Sequence, residues 1–307
     1  MNLRPTNPMN PMNLRAALLA LLACLVAACG QPDKPREREG EQANPLLWEI
    51  ARADGTTEGW LLGTIHALPD GAEWRNRTVD GVVADADILA VEIADVGDGR
   101  AMASAFLPLA SSAGQPPLTA RVPPEQRERL AELVGDTRYR LDDFDRIESW
   151  GAALILAQTV DSGADALNGV DRALIREFPR NRTVELEGAH RQFEAFDSLS
   201  EGAQRAMLAA IVEESQADPA ELRRPIDLYL AGDDAGLERL SHEGMLGNAE
   251  IREVLLTRRN ADWMAQISRL LESDQRPLIA VGAAHMVGED GLVALLEAQG
   301  YRVTRLN

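Results

Sequence analysis

Two apolar runs set far apart in the chain end in the same way, and this repetition constrains the fold more than any other feature. The first reads Trp60-Leu61-Leu62-Gly63-Thr64-Ile65-His66, and the second Leu278-Ile279-Ala280-Val281-Gly282-Ala283-Ala284-His285. A turn follows each: Leu68-Pro69-Asp70-Gly71 after the first and Gly288-Glu289-Asp290-Gly291 after the second. A buried strand that ends in glycine and then presents an imidazole suits a site at the carboxyl edge of a sheet. Glycine permits close backbone approach, and histidine titrates near neutral pH. The two motifs hold half of the four histidines in the chain. If they serve one site, the fold must close the long stretch between them.

The pattern around them reads as strands and helices in alternation. Residues 47–51 and 59–65 form a hairpin about Asp54-Gly55, a helix follows over 76–84, and residues 88–93 are a buried strand carrying Glu92. Residues 95–120, rich in Gly, Ala, Ser and Pro, read as irregular or weakly helical. Pro123-Pro124-Glu125 opens a helix with Leu130, Leu133 and Val134 inward. A buried helix spans 150–160, and an amphipathic one spans 172–178 after Asn168-Gly169-Val170-Asp171. Residues 183–188 read as a strand ending at Glu187. Helices follow over 202–214, 219–231 (kinked or restarted at Pro225) and 249–271. The end is a strand–helix–strand unit over 278–283, 292–299 and 301–306. The expected class is α/β or α+β, a mixed central sheet covered by helices, with a helical insertion.

The amino terminus reads differently. Arg4 and Arg15 precede a thirteen-residue apolar run over 16–28, too short to span a bilayer and suited to a signal peptide. Val26-Ala27-Ala28-Cys29-Gly30 resembles a bacterial lipobox, in which Cys29 is diacylated and becomes the mature amino terminus. Leu21-Leu22-Ala23-Cys24 fits less well, because Leu22 is bulky where a small residue is preferred. Residues 29–45, with Pro, Gly and charges, read as a tether between the lipid and a single domain over 46–307. Gly30, rather than aspartate, after the cysteine points to the outer membrane and a periplasm-facing domain.

Composition narrows the chemistry. The chain is 45% hydrophobic and 26% charged, as expected of a globular protein, and its formal net charge of −18 argues against a nucleic-acid partner. Cys24 and Cys29 are its two cysteines, so the expected domain has none for a disulfide, a zinc-thiolate site or a nucleophile. HExxH, Gly-x-Ser-x-Gly, Walker and Gly-x-Gly-x-x-Gly motifs are missing. What remains are four polar residues after apolar runs: His66, Glu92, Glu187 and His285. On one sheet edge they would suit a divalent metal (Mn, Co or Zn), with a carboxylate as general base, or metal-free acid–base chemistry. His190 and His242 read as surface residues, and Trp60 and Trp263 as core.

These motifs together carry a resemblance. The order Leu-Leu-Gly-Thr-Ile-His-x-Leu-Pro, Ala-Asp-x-Leu-x-Val-Glu, Gly-Val-Asp, Leu-Glu-x₄-Gln, Arg-Asn-x-x-x-Met and Val-Gly-Ala-x-His resembles the TraB/GumN family, from about Leu47 to Leu306. The resemblance implies a relation to Tiki-type metalloproteases and, more distantly, to erythromycin-esterase and ChaN-type folds. It implies a site built from Gly63, His66, Gly282, His285 and Glu92, with Glu187 as a further member. Asp171, Gln192, Arg259 and Asn260 would support it by orienting substrate or metal ligands. Gly188 departs from the family's usual threonine. The leading expectation is a lipoprotein with a metal-dependent hydrolase site, acting on a peptide or envelope substrate. The alternative is a non-catalytic envelope lipoprotein that binds polysaccharide or a small ligand such as haem.

Overall fold

The structure, a computed structural model, describes residues 43–306. The signal segment, Cys24, Cys29 and the tether up to residue 42 lie outside the described residues. Strands β1 (Leu47–Ala51) and β2 (Thr57–Thr64) pair antiparallel, with Leu47 opposite Leu62 and Ala51 opposite Thr57. The Gly55 N–H donates to the Arg52 carbonyl at 2.9 Å and closes the expected turn. Asn76 caps α1 (Arg77–Asp85) by accepting from the Val79 N–H at 3.0 Å, and the chain enters β3 (Ile88–Val91).

The segment expected to be irregular or weakly helical contains a well-formed helix, α2 (Gly99–Ala110). The Asp98 carboxylate accepts from the N–H groups of Arg100 and Ala101, and Met102, Phe106 and Ala110 recur every four residues to give it a buried stripe. Capping and burial thus override a composition poor in helix signals. Next come α3 (Arg127–Gly135), α4 (Ser149–Ala157), buried along its whole length, and α5 (Val170–Glu177).

Strand β4 (Thr183–Glu185) ends earlier than the apolar pattern suggests, and α6 (Gly188–Asp197) starts at once. Gly188 makes the corner: it takes φ +78°, and its N–H donates to the Glu92 carbonyl at 2.9 Å. Glu187 therefore sits between strand and helix rather than at a strand end. Helices α7 (Glu201–Glu214) and α8 (Pro219–Ala231) follow. Helix α8 continues through Pro225 without a restart, held by the Asp218 cap and by buried Leu222, Ile226 and Tyr229. These outweigh the one backbone donor that proline removes. After α9 (Asp234–Leu240), the single helix expected over 249–271 is interrupted. It comprises α10 (Ala249–Arg252), a π turn over Glu253–Thr257 and α11 (Arg258–Leu271). The chain closes with β5 (Pro277–Gly282), α12 (Leu292–Ala298) and β6 (Arg302–Leu306).

The six strands form one mixed sheet in the order β4-β3-β5-β2-β1-β6. β4, β3, β5 and β2 run parallel, while β1 is antiparallel to both β2 and β6. Strand β5 inserts between β3 and β2, with Thr64 opposite Gly282 and Val91 opposite Ala280. This parallel pairing brings the two Gly-x-x-His motifs side by side. A Cβ on Gly63 would stand 3.0 Å from the Leu46 Cβ and 3.3 Å from the Ala283 Cα, so the first motif's glycine admits the backbone of the second. One hydrophobic cluster wraps the sheet and includes α5, α8, α11 and α12. A second is built mainly by helices, around Phe106, Trp150 and Phe193. Among the described residues no helix is long and apolar enough to cross a membrane.

Gly188 accounts for the departure from threonine, because a side chain there would be held in the left-handed region. We expect Gly188→Thr to destabilise the domain by about 1–3 kcal/mol. A urea midpoint equal to the parent's would show that the corner tolerates a side chain.

Candidate functional site

His66, Glu92, Glu187 and His285 follow the last residues of β2, β3, β4 and β5 by two, one, two and three positions. Since these four strands are parallel, all four residues collect at one edge of the sheet, the carboxyl edge at which α/β folds commonly place their sites. What joins them is Arg259, in the first turn of α11 and 8% exposed. Its Nη2 donates to Glu92 Oε2 at 2.7 Å and to Glu187 Oε1, and its Nε donates to Glu187 at 3.1 Å. Its Nη1 donates to the Leu255 carbonyl at 2.9 Å and to His285 Nε2 at 3.2 Å. All five guanidinium N–H groups thus have partners, drawn from four separate segments. The cation also lies 4.8 Å from the Trp263 ring centroid.

The partners assign the proton on His285. The Asn260 amide nitrogen faces the Asp290 carbonyl at 2.8 Å, so Asn260 Oδ1, 2.6 Å from His285 Nδ1, is the acceptor. Nδ1 therefore carries the hydrogen, and Nε2 offers its lone pair to Arg259. Burial, reinforced by the Arg259 charge, pushes the His285 pKa down to about 3, which keeps the ring neutral.

The two carboxylates on Arg259 are driven apart. Burial raises the pKa of Glu92, but the Arg259 charge, helped by the Gly282 N–H 2.8 Å from Oε1, outweighs it and holds it at about 2. Gln192 Nε2 donates to Oε2 at 3.2 Å. Glu187, which also accepts from Trp263 Nε1 at 3.2 Å, moves upward because its burial and the Glu92 charge exceed the pull of Arg259. Unlike environments thus move the two paired carboxyls in opposite directions.

His66 stands apart in exposure. Its side chain is 29% exposed, and Nδ1 lies 3.2 Å from Asp171 Oδ2, at the start of α5. Burial lowers its pKa, but the Asp171 charge and hydrogen bond, with a smaller push from Glu92, make the net shift upward. Among the described residues Asp171 is its hydrogen-bond partner, so Nε2 is open. Two buried polar atoms, Thr64 Oγ1 two residues before His66 and Oδ1 of its partner Asp171, also have no hydrogen-bond partner. A cavity of about 420 Å³ reaches the cluster from the α6 and α11 side, where Glu187, Arg259 and Trp263 form part of its wall; His66, Glu92 and His285 do not line it.

Every supporting residue anticipated from sequence enters this network. Asp171 orients His66, Gln192 binds Glu92, Asn260 fixes His285, and the Gly63 carbonyl accepts from the buried Tyr229 hydroxyl at 3.0 Å. The sequence favours the core over a ligand platform for Trp263, and its indole N–H in addition holds Glu187; the tryptophan four residues after Arg259, one helical turn away, is the available signal. Sequence reasoning gave no role to Tyr229. His190 is 64% exposed beside Glu194, and His242 is exposed, as expected. A divalent ion does not fit the anticipated donors as they stand. The guanidinium already occupies the space between Glu92, Glu187 and His285, and the His285 lone pair is engaged. Among the described residues no group of three or more His, Cys, Asp or Glu could hold a metal ion.

The TraB/PrgY/gumN family model matches residues 46–305, and the chain belongs to that family. No curated protein and no solved structure matches the chain.

The neutral state of His285 has a thermodynamic consequence. A ring whose folded pKa, about 3, lies below its ordinary 6.5 contributes stability above pH 6.5 that is lost as the pH falls. Glu92, at about 2 instead of 4.5, adds a loss in the same direction below pH 4.5. His66, shifted upward, contributes fully in this range and loses its part only as the pH rises. We expect His285→Gln to flatten the fall in melting temperature between about pH 6.5 and 4.5 and to leave the steeper loss below it. A parent-like acid limb in that variant would show that His285 is not the group responsible.

Proposed function

We propose that this edge is a metal-independent acid–base hydrolase centre, in which His66 takes a proton from a water that attacks a carbonyl substrate. The observation that supports it is the gathering of His66, Glu92, Glu187 and His285 at the ends of four parallel strands around Arg259. Within that cluster His66 is the imidazole with an open nitrogen. Asp171 holds its Nδ1 and leaves Nε2 for the water, an orientation that general-base catalysis requires. Arg259, with its donors committed, is a positioning residue: it keeps Glu92 ionised and holds Glu187 in place. Glu187, the carboxyl of the pair that burial moves upward, is the group assigned to return a proton to a leaving group.

Purified protein assayed against a panel of chromogenic esters and peptides tests this reading. Cleavage is expected to survive chelation, and His66→Ala is expected to lower kcat by about 10²–10⁴-fold. Because His66 must be neutral to act, kcat/KM should rise with pH through a value above 6.5, and Asp171→Asn should move that limb lower. Activity removed by chelation and restored by Mn, Co or Zn would overturn metal independence. Metal retained by the parent and lost in both His66→Ala and His285→Ala would support a metal centre instead. A parent that cleaves nothing in the panel counts against a hydrolase.

The sequence alone supports the location in this reading: the centre is held at the outer membrane, facing the periplasm, through diacylated Cys29, where peptide or envelope polymers are its substrates. Cys29→Ser is expected to shift the chain from the membrane to the soluble fraction and to abolish labelling with radioactive palmitate. Unchanged labelling would rule out Cys29 as the acylated residue.

A further inference from the structure

The cavity beside Glu187 has a charge pattern unlike the rest of the chain. Overall, 49 acidic residues face 31 basic ones. Along this cavity, which lies between α6 and α11, stand Arg191, Arg258 and Arg269, with the Arg259–Glu187 pair in the wall. The three arginines are exposed, and among the described residues none has a side-chain hydrogen bond or ion pair. The two other acids present are Glu194, turned to His190 at 3.4 Å, and Asp262. Unpaired guanidiniums gathered in a concave site, on a surface whose charge otherwise repels anions, focus a local positive field. Their planar forks match oxyanions with two hydrogen bonds each. Arg258 and Arg269 lie about 16 Å apart along α11 at 1.5 Å per residue.

We propose that this groove binds an extended ligand carrying several oxyanion groups, held by Arg191, Arg258 and Arg269, with one end against Glu187 and Arg259. The bonds are ionic and reversible, so binding falls steeply as salt rises. The site stands on the groove's own residues and does not depend on His66 chemistry.

Isothermal titration of the full-length chain in detergent at low salt separates the outcomes. The probes are hexaglutamate as a carboxylate source, tripolyphosphate as a phosphate source and hexaglutamine as the uncharged comparison. The parent is expected to bind at least one anionic probe and not hexaglutamine; whichever binds more tightly identifies the oxyanion. The double variant R258Q/R269Q is expected to weaken that binding by about tenfold or more. Arg100→Gln, at an exposed arginine that does not line the groove, and His66→Ala are expected to bind like the parent. Binding in His66→Ala keeps this result separate from the fate of the hydrolase reading. Failure of the parent to bind either anion, equal binding of hexaglutamine, or parent-like binding by R258Q/R269Q would overturn the proposal.

Discussion

The buried guanidinium of Arg259 is the interaction on which the candidate site depends. A cation removed from water needs partners for its charge and for each donor, and losing one partner of a buried pair costs about 3–5 kcal/mol. Here the requirement is met by Glu92, Glu187, His285 and the Leu255 carbonyl together, so the position of each is tied to the others. The same cation bears on their protonation. It holds Glu92 ionised against burial and adds to the burial that keeps His285 neutral, while at Glu187 burial and the Glu92 charge exceed its pull. His66, tied to Asp171 instead, keeps a separate character at the margin of the cluster.

Sheet topology supplies these partners. Strands β2 and β3 are near in sequence but not adjacent in the sheet, because β5 arrives from the far end of the chain to separate them. That insertion sets Gly282 under Glu92, so a backbone N–H from the last parallel strand holds the carboxylate of the second. The long intervening stretch is not idle. It builds the helical core that carries Gln192, and through α8 it sends the Tyr229 hydroxyl to the Gly63 carbonyl.

Much of the sheet and the identity of the clustered residues were legible in the sequence, because buried parallel strands read as unbroken apolar runs and the polar residues after them stand out. What was less legible depends on forces that do not repeat along the chain. Helix α2 rests on one aspartate cap and a buried stripe through Met102, Phe106 and Ala110, Glu187 lies at a corner set by Gly188, and α8 tolerates Pro225 because its buried face compensates. The donor types His, His, Glu and Glu suggest a metal, and sequence spacing does not reveal that a guanidinium folds among them. Arg259 was visible as a recurrent family position, and its place between the acids emerges only from contacts spanning 167 residues to Glu92.

The π turn over Glu253–Thr257 gives the site a sensitivity of another kind. A π turn holds one residue more than the α-helical turn it replaces, and each residue advances a helix by about 100°. Arg259, Asn260 and Trp263 all follow that turn on one continuous helix. Their aim is therefore a matter of helical phase as well as residue identity. Removing a single residue within the turn would leave every one of these side chains in the sequence and swing the whole set away from the edge of the sheet. The spacing of the chain at this point is as much a part of the site as the groups that compose it.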